Sequence, residues 1–168
     1  ACLGAMIEVV WFKRDLRVQD HAALAAVRGR ILCLHVVEPD YWSGADASPR
    51  QWRFARAALL DLRAALGELG LPLVVRVGEV TAVTGNLWTF ARDRAVGRDC
   101  RVQGIAWTEH RQFGVVRLLE SRDGWSARHA AMMAAPLLAA PRGLIPVEEP
   151  EGDIPAEPLP WTADDGLR

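Results

Sequence analysis

Three short apolar runs constrain this chain more than any other feature: Met6 to Phe12, Ile31 to Val37 and Leu73 to Val77. Each has strand length and is nearly continuous in Val, Ile and Leu rather than alternating with polar residues. That pattern fits strands buried on both faces of a parallel sheet. The segments between them are too long for hairpins. Parallel strands need a crossover of a dozen or more residues, and both intervals carry helical signals.

In the first interval, Asp20 is placed to N-cap a short helix from His21 to Arg28, with Gly29 as its stop. In the second, Ser48-Pro49-Arg50-Gln51 has the form of a capping box with proline in the first turn. Trp52, Ala55, Leu59, Leu62, Leu66 and Leu69 follow at alternating spacings of three and four, one buried stripe of a helix. Arg50, Arg53, Arg56 and Arg63 lie off the stripe; Gly70 and Pro72 end it. The order β-α-β-α-β with right-handed crossovers predicts an α/β fold, a Rossmann-like parallel sheet flanked by helices.

Beyond Val77 the pattern predicts a helix over Leu87 to Val102, weakened at Gly97 by about 1 kcal/mol relative to alanine. It continues with a short strand at Ile105 to Trp107, a loop or edge segment through Val116, and a helix from Trp125 to Met133. Seven of the ten prolines fall in residues 136–168. This stretch reads as an extended, poorly ordered Pro-rich C-terminal tail or linker. The expected organisation is one α/β domain over 6–135 and a tail over 136–168.

At 168 residues the chain is large enough for one domain with a real core. Its apolar runs are all far shorter than the roughly 20 residues that span a bilayer, so no membrane partner is expected. Ala1 to Ala5 lack a basic region and a long apolar stretch, unlike a signal peptide, which points to a cytoplasmic location. Cys2, Cys33 and Cys100 are too few and too scattered for a disulfide framework or a zinc site, and Cys33 reads as a buried small apolar residue. Residues 136–168 hold seven acids and two arginines, leaving 18 basic against 14 acidic residues in 1–135. A balance of +4 is mild and accommodates either an anionic ligand or an ordinary mixed surface.

No Walker sequence, no Gly-x-Gly-x-x-Gly after the first strand and no nucleophile elbow is present. The four histidines have no zinc-ligand spacing, and His35 reads as a core histidine. Glu109 and His110 are adjacent, which on an extended segment turns them to opposite faces. The informative residues are Lys13, Arg14, Asp15 and Arg17, where the first strand breaks into charge. Open α/β sheets bind ligands at the carboxyl ends of their strands. Two readings follow. Asp15 pairs with a nearby arginine in a structural role, or the cations floor a ligand site. In the second reading Trp11, Phe12, Tyr41 and Trp42 offer flat stacking surfaces. Glu38 stands at the same end of the second strand, and Arg92-Asp93 could form a further pair beside the site.

The run VVWFKRDLRVQDHAAL, followed by LHVVEPDYW and by SPRQWRFARAALLDLRAALGELGLPLVVRVG, resembles the N-terminal α/β domain of the DNA photolyase/cryptochrome family. ARDRAV, WTEHRQFGVVR and RDGW extend the resemblance over about residues 6–145. It implies a Rossmann-like domain that holds an antenna chromophore (a deazaflavin, a folate or another). Phe12, Lys13, Arg14, Glu38 and Arg92 are the candidate cofactor-binding residues, and no catalytic residue is assigned. It further implies a separate helical domain that binds FAD and damaged DNA, where light-driven electron transfer splits pyrimidine dimers. That lyase domain does not resemble any part of this sequence, so the expectation is antenna binding at most, without repair.

Two departures accompany the resemblance. The family's sheet order is 3-2-1-4-5, and one helix and one strand have no counterpart between VVRVGEV and TGNLW. Either a later strand moves beside the first, or the first keeps an open edge. Trp88-Thr89 stand near the place of a folate-contacting Asn-Glu pair, which does not support folate. The alternatives are a non-enzymatic nucleotide- or chromophore-binding module, a cryptochrome photoreceptor fragment and a non-functional gene fragment.

Overall fold

The computed structural model describes residues 6–78, 96–108, 110, 121 and 123–158. The elements are β1 (Ile7–Trp11), α1 (Ala22–Ala26), β2 (Arg30–Val37), α2 (Pro39–Trp42), α3 (Pro49–Glu68), β3 (Leu73–Val77), α4 (Trp125–Met133) and β4 (Ile145–Pro146). Residues 96–102 are also helical.

β2 lies at the centre. It pairs in parallel with β1, Val9 beside Leu32, and with β3, Val75 beside His35. Two right-handed crossovers stepping in the same direction must put both helices on one face of the sheet. They do: Leu24 and Val27 of α1 and Trp52, Leu59, Leu62 and Leu66 of α3 pack with Val10, Phe12, Ile31, Cys33, Val37, Leu73 and Val75. The apolar stripe expected of α3 is the stripe it buries, with Ala55 and Leu69 at the margin. Burial pushes the Cys33 thiol up to about 12, which keeps it protonated. On the opposite face Ile7 and Val9 are about half exposed, at 52% and 54%. Among the described residues β1 pairs with β2 alone.

A carboxylate in β1 needs its own explanation. Glu8 Oε1 accepts from the backbone N–H of Arg28 at 2.7 Å and from that of Gly29. Gly29 sits so close to the Met6 carbonyl that a Cβ would collide with it. Glycine is required here by the approach of β1 to the start of β2.

Several expectations change. His21, not Asp20, caps α1: its Nδ1 accepts from Leu24 N at 3.1 Å. Asp20 instead adopts a positive φ of 50° and exchanges hydrogen bonds with Leu138, accepting through Oδ1 and donating through its N–H. The loop after β2 contains one turn of helix, α2, opened by Pro39. Residues 105–108 form no strand; Ile105 N instead donates to Cys100 O at 2.7 Å, closing the end of the preceding helix. Of the helix expected over Leu87 to Val102, only its last turns lie within the described residues.

The Pro-rich stretch is extended, as its composition suggests, but residues 144–156 are docked. β4 pairs with Arg30 and Ile31 on the side of β2 that β3 has not yet reached. The chain then crosses to the outer edge of β3, where Val75 N donates to Glu151 O at 2.5 Å. Trp52 Nε1 donates to Ala156 O at 2.9 Å, Arg56 Nε to Pro155 O at 3.1 Å, Arg63 Nη2 to Gly152 O at 2.7 Å and Arg76 Nη1 to Pro150 O at 3.0 Å. Ile154 enters the core. Prolines do not prevent this, because the segment contributes mostly carbonyl acceptors, which proline retains. Within the described residues no helix is long and apolar enough to cross a membrane.

Candidate functional site at the strand ends

The parallel register brings the carboxyl ends of β1 and β2 together. Phe12 N donates to Leu34 O at 2.8 Å, one residue beyond the last β1 pair. The chain then leaves the sheet as Lys13-Arg14-Asp15, while β2 leaves it as Glu38 and α2.

Arg14 is exposed and spans the two exits. Its Nη2 donates to the Tyr41 hydroxyl at 3.3 Å, and the guanidinium carbon lies 5.6 Å from the Tyr41 ring centroid. Lys13 Nζ sits 4.8 Å from the Trp11 ring centroid. Glu38 is half-buried, and its carbonyl accepts from the N–H groups of Tyr41 and Trp42, which starts α2. An edge-to-face series ties α2 to the body: Tyr41 to Trp42 and Trp42 to Trp52, both with centroids 5.0 Å apart.

Phe12 is fully buried, with its ring 4.9 Å from the His21 ring. Its expected role as a stacking surface is therefore corrected: residue 12 falls on the core face, where alternation along β1 sends Val10 as well. The Phe12 carbonyl lies 2.8 Å from His35 Nδ1. Burial lowers the His35 pKa against a smaller opposing effect of that contact.

Asp15 has a partner, but not the expected arginine. Its Oδ2 lies 3.1 Å from Nε2 of the buried His21, a bent contact of ion-pair length. Because Leu24 N–H points at Nδ1, the ring proton resides on Nε2, facing the carboxylate. Burial alone would raise the Asp15 pKa, but the His21 contact and the charge of Arg17 outweigh it and lower it.

Lys13, Arg14 and Glu38 thus share one end of the sheet, joined by Tyr41, and Phe12 stands beneath them. Arg92 lies outside the described residues. Sequence reasoning missed His21 as a member of this group. The Ser/Thr/Asp/Asn preference at N-caps selects Asp20, and only the fold reveals that Asp20 turns away. No group of three or more metal-ligating side chains occurs among the described residues.

Comparison with known proteins bears on the family and the fold. The sequence pattern of the DNA photolyase family matches residues 8–92. Deoxyribodipyrimidine photo-lyase of Salmonella typhimurium is 46% identical over 70 residues, covering 39% of this chain and 15% of that protein. The enzyme of the same name from Escherichia coli is 42% identical over 72 residues, covering 40% and 15%. Cryptochrome-2 of Gallus gallus is 35% identical over 88 residues, covering 51% and 15%. The aligned part thus spans only about one seventh of each relative. A bacterial class III photolyase from Agrobacterium tumefaciens has the same fold, with a TM-score of 0.71 at 20% identity, over 95% of this chain and 39% of that one. With the family pattern running through half of its length and its charged strand tip inside that match, the chain belongs to the DNA photolyase family.

Proposed function

We propose that this chain is the N-terminal α/β unit of a deoxyribodipyrimidine photolyase-like protein and that its strand-end site holds an antenna chromophore. Residues 6–135 carry most of the unit, and residues 144–156 pack back onto β2, β3 and the core rather than forming a free tail. The observation that carries the reading is the Arg14–Tyr41 bridge between the exits of β1 and β2. An exposed guanidinium beside a phenol, with Glu38 at the same end, suits a planar, polar ring system with anionic or carbonyl oxygens. Lys13 adds charge, Phe12 anchors the end of β1 beneath the site through its buried ring, and Arg92 is the fifth contributor. A deazaflavin or flavin-like ring fits this donor set better than a folate. When bound, such a group supplies light absorption and energy transfer; the chain's own residues orient it and neutralise its charge.

Light-driven repair of pyrimidine dimers, FAD binding and contact with damaged DNA belong in this reading to a helical domain. The experiment is titration of the purified chain with 8-hydroxy-5-deazaflavin, FMN and methenyltetrahydrofolate, followed by absorption and fluorescence quenching. Saturable binding of a deazaflavin or flavin is expected. A chain that binds none of the three overturns the reading, and saturable ATP binding in their place favours a nucleotide-binding module.

A further inference from the structure

Two buried imidazoles bracket the Lys13-Arg14 turn. His35 holds the Phe12 carbonyl on one side, Nδ1 to O at 2.8 Å. His21 faces the Asp15 carboxylate on the other, at 3.1 Å. His21 is only 2% exposed; its Nδ1 accepts at the start of α1, and its buried Nε2 faces Asp15 at 3.1 Å without a well-aligned hydrogen bond. The turn's two cations are therefore carried on a backbone pinned immediately before and immediately after them. A long cation on an unpinned turn would lose orientational freedom on meeting a ligand, and prior ordering removes that loss.

We propose that His21 and Asp15 are positioning residues for the strand-end site: their contact sets the shape of the Lys13-Arg14 turn and so the affinity for an anionic or carbonyl-bearing ring. The proposal rests on the chromophore reading above for its ligand, but the ordering of the turn is measurable without one. His21 serves two masters, helix cap and tether, and asparagine separates them. Asparagine caps helices well but is too short to reach Asp15 from the cap position.

The test uses the full chain with His21→Ala, His21→Asn, Asp15→Ala and the double variant His21→Asn/Asp15→Ala. Three quantities are read: thermal midpoint, rate of trypsin cleavage after Lys13 and Arg14 under native conditions, and affinity for 8-hydroxy-5-deazaflavin. His21→Asn should recover the thermal midpoint lost in His21→Ala while cleavage stays about tenfold faster than in the parent, and affinity about tenfold weaker, a coupling of the size found between contacting residues. Asp15→Ala, which leaves no acceptor for Nε2–H, should match it, and the double variant should be no worse than either single one. Parental cleavage rates in His21→Asn, or multiplicative effects in the double variant, would overturn the tether. A parent that binds no deazaflavin ends the chromophore reading, while the cleavage rates still decide the tether.

Discussion

Arg14 in the turn after β1 donates to Tyr41 in α2 at 3.3 Å, across the gap between the ends of two parallel strands. Both residues are exposed, so their contact adds little to stability. Its value lies in holding a planar cation at the edge where such sheets bind ligands.

Arg14→Ala should therefore shift unfolding stability by no more than about 0.5 kcal/mol, as for most surface substitutions. Chromophore affinity should fall about tenfold, the loss of one charge-assisted hydrogen bond. Arg14→Lys should recover only part of it, because an ammonium lacks the planar fork. Parallel urea denaturation and fluorescence titration check both; an unchanged dissociation constant in Arg14→Ala rules out its role.

The docked segment yields a second prediction. Ile154 is 8% exposed in the core cluster, so Ile154→Ala should destabilise by about 2–4 kcal/mol in urea unfolding. Gly152 has φ +75°, and a Cβ there would run into the Val75 carbonyl. Gly152→Ala should also destabilise, by at least about 1 kcal/mol, through positive-φ strain and the collision with that carbonyl. A freely solvated tail would show neither effect.

Acid sensitivity forms a third. The His35 pKa is lowered from 6.5 by burial, so below pH 6.5 the unfolded chain binds the proton more readily than the folded one. Stability should be at its full value above about pH 6.5 and decline as pH falls from there toward the lowered folded value. Asp15 adds a second loss below its ordinary 3.8, again because its folded value is lowered. His35→Gln should flatten the first decline and leave the second. Urea midpoints between pH 7.5 and pH 3 check this; a parental slope in His35→Gln between pH 6.5 and 5 would assign the decline to another group.

Much of the fold was legible residue by residue. β3 spans the expected Leu73 to Val77, α4 the expected Trp125 to Met133, and α3 buries the stripe its spacing marks. These elements are written in local periodicity, which the backbone geometry of helix and strand obeys wherever one side is buried. The site was legible in its cations and carboxylate, less so in its geometry. Phe12 is a case in point: a ring at the end of a strand can face ligand or core, and the register of β1 on β2 sent it inward.

The sequence alone determined the strand–helix alternation, and with it a parallel sheet whose charged strand tip lies at the carboxyl ends of the strands, because crossover chirality leaves few other topologies. Tertiary structure decided three further matters: that His21 rather than Asp20 caps α1 and holds Asp15, that Arg14 meets Tyr41, and that residues 144–156 close the edge of β3. None of these has a period. Each depends on individual donors and acceptors rather than on a repeat, and a segment that offers mostly carbonyls carries no pattern until the arginines and tryptophan that bind it are in place.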